Sequence, residues 1–292
     1  YDSVLARRDV VWARLGMARL HVRQNKLSKA HGILQQLITD NPNCLDAYDE
    51  LAKIYGRTQE WRQAERVLTQ AVNLSPNSPG RQTRLGEAAL HCQHYELAER
   101  CFVKAIKLAA HSTLKVTAPY LGLSKVYLAQ QKINEAHKVL ALMVQEIPGE
   151  ETQLQAKLEE VQIYHAIGNI EKATALADEV SGAVQSGFEH LTPEMLLDLA
   201  QTFMQLGNTG AATGVLQFVV RNNHEDEAIG RRVMEIFTLG DMELEGRGLM
   251  EACRREAIGT MDQGVRLAAQ GKLDEALECL REAKTLMPRN PR

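Results

Sequence analysis

A step of 34 residues constrains this chain more than any other feature of its sequence. Ala30, Ala64 and Ala98 are separated by it, as are Leu34, Leu68 and Phe102, and then Leu37, Ala71 and Ala105. Pro42 and Pro76 mark the same interval. Within one interval, Tyr48 to Pro76 reads YDELAKIYGRTQEWRQAERVLTQAVNLSP. Tyr48, Leu51, Ala52 and Tyr55 fall on one face of a first helix, and Ala64, Val67, Leu68, Ala71 and Leu74 on one face of a second. The polar stretch between them reads as a turn. Pro76 closes the unit, because proline disfavours helix for the residue before it. Two such helices cannot bury their apolar faces alone, so each unit needs a neighbour on either side.

The small residues show how the neighbours meet. Ala18, Ala52, Gly86, Ser124, Ala200 and Gly264 fall in the first helix (A) of successive units, and Ala30, Ala64, Ala98, Ala136, Ala173, Ala212 and Ala276 in the second (B). Side-chain size at a crossing sets how closely two helix axes approach. Tyr48, Tyr55, Tyr120 and Tyr127 supply bulk between the small positions, and Ala64 and Ala98 are expected to be almost fully buried. This pattern resembles the tetratricopeptide repeat (TPR), a helix–turn–helix unit of 34 residues. The resemblance implies an all-α fold, a TPR solenoid: a right-handed superhelix of antiparallel helix pairs, with about fifteen or sixteen helices.

Taken in order, the chain reads as a single array over residues 1–292. Clear repeats fall at about 10–43, 44–77, 78–111, 116–148, 192–224 and 256–288, with looser ones at 150–190 and 225–255. The first helix is expected to run from Tyr1 to Gln24. Ser78 and Thr192 read as N-caps, the latter followed by Pro193 at the first helical position. Between Ala98 and Ala136 the step grows to 38 residues, and the extra residues are assigned to a loop over 109–119. Helix B of the fifth repeat is expected to extend to about Gly187. In the seventh, no small helix-B residue is recognised on schedule after Gly240, and a helix from about Gly248 is expected to run straight into the last unit. The chain begins without methionine, and no polar capping helix follows Pro288, so it is expected to be a piece of a longer protein.

Composition excludes several functions. The formal charge of −3 gives no electrostatic support for binding nucleic acid or membranes. Five scattered cysteines do not form a disulfide framework, which points to a reducing cytoplasm. There is no apolar run of membrane-spanning length. His91, Cys92, His94 and Cys101 match none of the usual zinc spacings, and HEDE at 224–227 is an acidic turn rather than a zincin motif. No nucleophile elbow or phosphate loop is present. No enzyme activity, metal or cofactor is expected.

A narrower resemblance rests on longer phrases. AYDELAKIY (47–55), SPNSPGRQTRLGE (75–87), IKLAAHS (106–112), YLGLSKVYL (120–128) and LMEACRREAIGTMDQGVRLAAQGKLDEALECLREA (249–283) are similar to the TPR output region of certain bacterial response regulators. It implies a phosphoacceptor receiver domain upstream of Tyr1 and a role in holding or releasing a protein partner. The alternative is a TPR scaffold in secretion, pilus or envelope assembly.

In TPR proteins helix A lines the usual binding groove. Arg19 and Arg23 lie four residues apart on one helix face, and Lys53 and Arg57 repeat the pair 34 residues later, with Asp46 and Asp49 nearby. The expected groove residues are Arg19, Arg23, Asp49, Lys53, Arg57, Glu87 and Lys125, and the expected ligand is a protein or peptide segment of acidic character. The carboxylate clamp of chaperone-binding TPRs is disfavoured. Leu15, Glu50 and Gly80 stand where it needs basic or amide side chains, and Arg84 alone matches.

Overall fold

The computed structural model describes residues 10–110, 115–185, 192–223, 227–270 and 272–286. Among them there is no β-strand. The expected helix start at Tyr1, His111, Gly187 and Pro288 lie outside the described residues. The helices are α1 (Val11–Arg23), α2 (Leu27–Asp40), α3 (Leu45–Arg57), α4 (Trp61–Leu74), α5 (Pro79–His91), α6 (Tyr95–Ala110), α7 (Ala118–Ala129) and α8 (Ile133–Glu146), followed by α9 (Glu150–Ala166), α10 (Ile170–Gln185), α11 (Pro193–Gln205), α12 (Thr209–Asn223), α13 (Glu227–Leu239), α14 (Glu243–Ala269) and α15 (Leu273–Leu286). The chain forms two compact units, Tyr1–Thr152 and Gln153–Arg292.

In the first unit α1, α3, α5 and α7 are the A helices, each packed on the B helix that follows it, and each B helix packs on the next A helix. The small residues sit where the 34-residue step places them: Ala18, Ala30 and Ala98 are fully buried, and Ala64 is 2% exposed. Phe102 stands one step beyond Leu34 and Leu68 and is larger than either, yet it too is fully buried. Two glycines make the room. A Cβ on Gly86 would lie 2.8 Å from Phe102 Cε1, and one on Gly122 only 2.3 Å from Phe102 Cζ. The ring therefore fills space that methyl groups on two flanking A helices would otherwise occupy.

The A-to-B turns share one conformation. Asn25, Gln59, Gln93, Gln131, Gly168, Gly207 and Asp241 each stand two residues before a B helix with φ between 54° and 77°. The next residue's N–H reaches back to the closing turn of helix A: Lys26 N to His21 O at 2.8 Å, Glu60 N to Tyr55 O at 2.9 Å, His94 N to Ala89 O at 2.8 Å. This is the Schellman arrangement, in which a left-handed residue lets the chain satisfy the last carbonyls of a helix. Glutamine pays a steric cost there that glycine avoids. Gln59→Gly, Gln93→Gly and Gln131→Gly should each stabilise the first unit by about 0.5 kcal/mol, the relief of strain exceeding the added freedom of the unfolded chain. Urea midpoints that fall rather than rise would refute this.

Several starts and stops follow from local chemistry. Ser78 Oγ accepts from Arg81 N at 3.4 Å, and Thr192 Oγ1 from Met195 N at 3.3 Å, each with proline next in sequence. The irregular segment of the insert is narrower than 109–119, since α6 persists to Ala110 and α7 begins at Ala118. Lys115 to Thr117 are outside any helix.

In the second unit, residues of α9 to α13 and Cys253 of α14 form one core around Phe203, Leu216, Ile236 and Phe237. The reading that no small helix-B residue follows Gly240 on schedule is corrected. Gly246 stands 34 residues after Ala212, and a Cβ there would lie 2.7 Å from Phe237 Cδ2. Helix α14 also begins at Glu243 rather than near Gly248. As expected, it runs straight into the last unit, as one helix of 27 residues. The cause is arithmetic. From Gly246 to Ala276 the step is only 30 residues, and the four missing are the length of the B-to-A connections at 41–44 and 75–78. Without a connection, the backbone continues as helix.

Candidate functional site

Helices α1, α3 and α5 are joined by ion pairs that cross from one A helix to the next. Arg19 Nε donates to Glu50 Oε1 at 3.0 Å, and Lys53 Nζ approaches the same oxygen at 3.2 Å. Arg19 also lies 3.8 Å from Asp46. One repeat further, Asp49 accepts from Arg81 Nη2 at 2.7 Å and from Arg84 Nη1 at 3.1 Å. Arg81 Nη1 also donates to Ser75 Oγ at 3.4 Å. The carboxylates at the centre of both clusters are largely buried, with side-chain exposures of 10% for Glu50 and 14% for Asp49. Desolvated carboxylates of this kind persist because each is held by more than one cation.

The residues read from sequence as a groove therefore divide. Arg19 and Lys53 are brought together, but by Glu50. Asp49 is consumed by Arg81 and Arg84. Arg23 and Arg57 are exposed and carry no ion pair among the described residues. Each is the last residue of its helix, where a cation complements the helix dipole. Glu87, one step beyond Lys53, is solvent-accessible but crowded. Desolvation raises its carboxyl above the ordinary value, and Arg84 and Lys125 pull it back. Lys125, on α7, is half-buried.

At the end of α5 lies an aromatic pair that sequence reading did not single out. The rings of Trp61 and His91 stack with centroids 3.8 Å apart and planes 8° from parallel. Trp61 also lies against Gly56, where a Cβ would be 3.7 Å from its ring. Desolvation, then repulsion from Lys125, lowers the His91 pKa. The 34-residue step from Arg57 to His91 was the available signal for the position of His91.

The histidines and cysteines near α5 are otherwise engaged. His94 Nδ1 lies 2.9 Å from Glu65 Oε2. Burial, reinforced by Glu65, pushes the Cys92 thiol up to about 11, and burial pushes that of Cys101 to about 11 as well. Among the described residues no group of three His, Cys, Asp or Glu side chains could hold a metal ion. No helix among them is long and apolar enough to cross a membrane. On the A helices of the second unit, Arg232 is taken up by Gln201, Asp198 and Glu235.

Comparison with known proteins agrees with this geometry. The tetratricopeptide repeat family matches residues 47–82. No curated protein sequence matches the chain significantly. Among solved structures, a tetratricopeptide repeat protein from Parabacteroides merdae superposes with a TM-score of 0.59 at 15% identity, covering 79% of this chain and 84% of the other. MamA gives 0.51 at 16% identity, covering 62% and 96%. PilW, a type IV pilus biogenesis factor, gives 0.51 at 18% identity, covering 77% and 98%. At such identities the likeness establishes the fold: an all-α TPR solenoid of repeated helix pairs.

Proposed function

We propose that the chain is a non-enzymatic protein-interaction module of the cytoplasm, a single TPR array whose A-helix face in the first unit receives an acidic segment of a protein partner. The observation that supports this is the pair Arg23 and Arg57, exposed and without ion pairs among the described residues, on a face where Arg19, Lys53, Arg81 and Arg84 are already held by carboxylates. Exposed cations at a rim act largely through association rate and salt dependence.

The test is charge reversal. Arg23→Glu combined with Arg57→Glu should reduce capture of the partner from the source organism about 10-fold, as should raised salt with the parent chain. Stability should change by no more than about 0.5 kcal/mol, since neither side chain packs in the core. Equal capture by parent and variant would leave the two arginines as solvated helix ends.

Within this class, the chain is the output part of a bacterial two-component response regulator, acting on its partner under control of an upstream receiver domain. Support for that narrower reading is the phrase-level resemblance within residues 10–288. The alternative is a scaffold of secretion, pilus or envelope assembly. The coding sequence upstream of Tyr1 separates them: a receiver domain favours the first, a lipobox or signal sequence the second.

A further inference from the structure

We infer that the partner segment carries an aromatic side chain next to its acidic run, and that it lies along the C-terminal ends of the first three A helices. This rests on the interaction reading above and names the partner's chemistry. Arg23, Arg57 and His91 are the last residues of α1, α3 and α5, one 34-residue step apart. The first two offer guanidinium groups not committed to any carboxylate among the described residues. The third offers an exposed imidazole lying flat on Trp61, whose indole also lies against Gly56, the residue before Arg57 in the chain. Complementing a helix dipole accounts for the arginines at the first two positions. It does not account for a parallel indole–imidazole pair at the third.

The chemistry of the row changes along its length. Guanidinium groups take carboxylates through charge-assisted hydrogen bonds. A flat aromatic pair with an exposed face takes a further ring by offset stacking. A segment following the row from α1 to α5 meets two cations and then an aromatic platform. Arg19, Lys53, Arg81 and Arg84, earlier along the same helices, are neutralised by Glu50 and Asp49, so the C-terminal helix ends are where an acidic chain gains most.

Fluorescein-labelled hexaglutamate, the same peptide ending in phenylalanine, and a hexalysine–phenylalanine control test this by fluorescence anisotropy on the full chain. Both acidic peptides should bind and the basic one should not. Phenylalanine should tighten acidic binding about 3- to 10-fold, the worth of one aromatic contact. His91→Ala should erase that preference. Arg23→Glu with Arg57→Glu should abolish binding of both acidic peptides. Equal affinity of the two acidic peptides for the parent chain overturns the aromatic inference while leaving the acidic-partner reading intact, and so does a preference that survives His91→Ala. If neither acidic peptide binds, both are overturned.

Discussion

Phe102→Ala is expected to destabilise the first unit by about 3–5 kcal/mol, the cost of emptying a fully buried ring site. Two of its walls are helix backbone at Gly86 and Gly122, which have no side chains to move inward. The same geometry makes the reverse change costly. Gly122→Ala places a methyl 2.3 Å from the ring, and relieving that overlap should cost about 1–3 kcal/mol through off-rotamer strain or helix displacement. Combining Gly122→Ala with Phe102→Leu should recover part of the loss, since leucine is what the repeat carries at 34 and 68. Both tryptophans, Trp12 and Trp61, lie in the first unit, so urea unfolding followed by tryptophan fluorescence reports this unit alone. Additive effects of the two substitutions would show that ring and glycine are not coupled.

Asp49→Ala is expected to cost about 2–4 kcal/mol, because it leaves the largely buried Arg81 without its carboxylate. Asp49→Asn should be nearly as harmful, as it keeps the shape and loses the charge. Removing both partners, with Asp49→Leu and Arg81→Met, should come closer to the parent than either single loss. If Asp49→Ala melts with the parent, the pair contributes no more than a surface ion pair does.

The helices were legible wherever a small residue kept its 34-residue interval. Ala64 and Ala98 needed nothing beyond counting. Gly246 stands 34 residues after Ala212 as well, but every other recognised helix-B position holds alanine, and Phe237 has to be seen against the glycine before it reads as the crossing residue. The run of α14 into the last unit was legible from the absence of a turn signal, while its start at Glu243, five residues before Gly248, was not.

The A-helix face of the first unit was legible as rows and illegible as pairs. Arg19 and Lys53 could be aligned by interval. That Glu50 would hold both depends on how side chains from adjacent repeats, 31 residues apart in one case, turn toward each other. Asp49 was read as a groove residue because it stands near the basic rows, and Arg81 and Arg84 claim it from the next helix. Periodicity locates a position on a helix; it carries no information about which neighbour a flexible charged side chain selects. Trp61 escaped because it stands at the start of a B helix, outside the A-helix rows that the interval aligns.

The uninterrupted α14 gives the last hairpin a mechanical character that the preceding A and B helices lack. At roughly 1.5 Å per residue, its 27 residues form a rod about 40 Å long. Where earlier connections act as joints that absorb small rotations between helices, this rod has none. The rod joins its Phe237–Gly246 crossing to the contact between Gly264 and Leu280 without a break, and the Arg221–Glu256 ion pair, 2.8 Å long, ties it to α12 between the two.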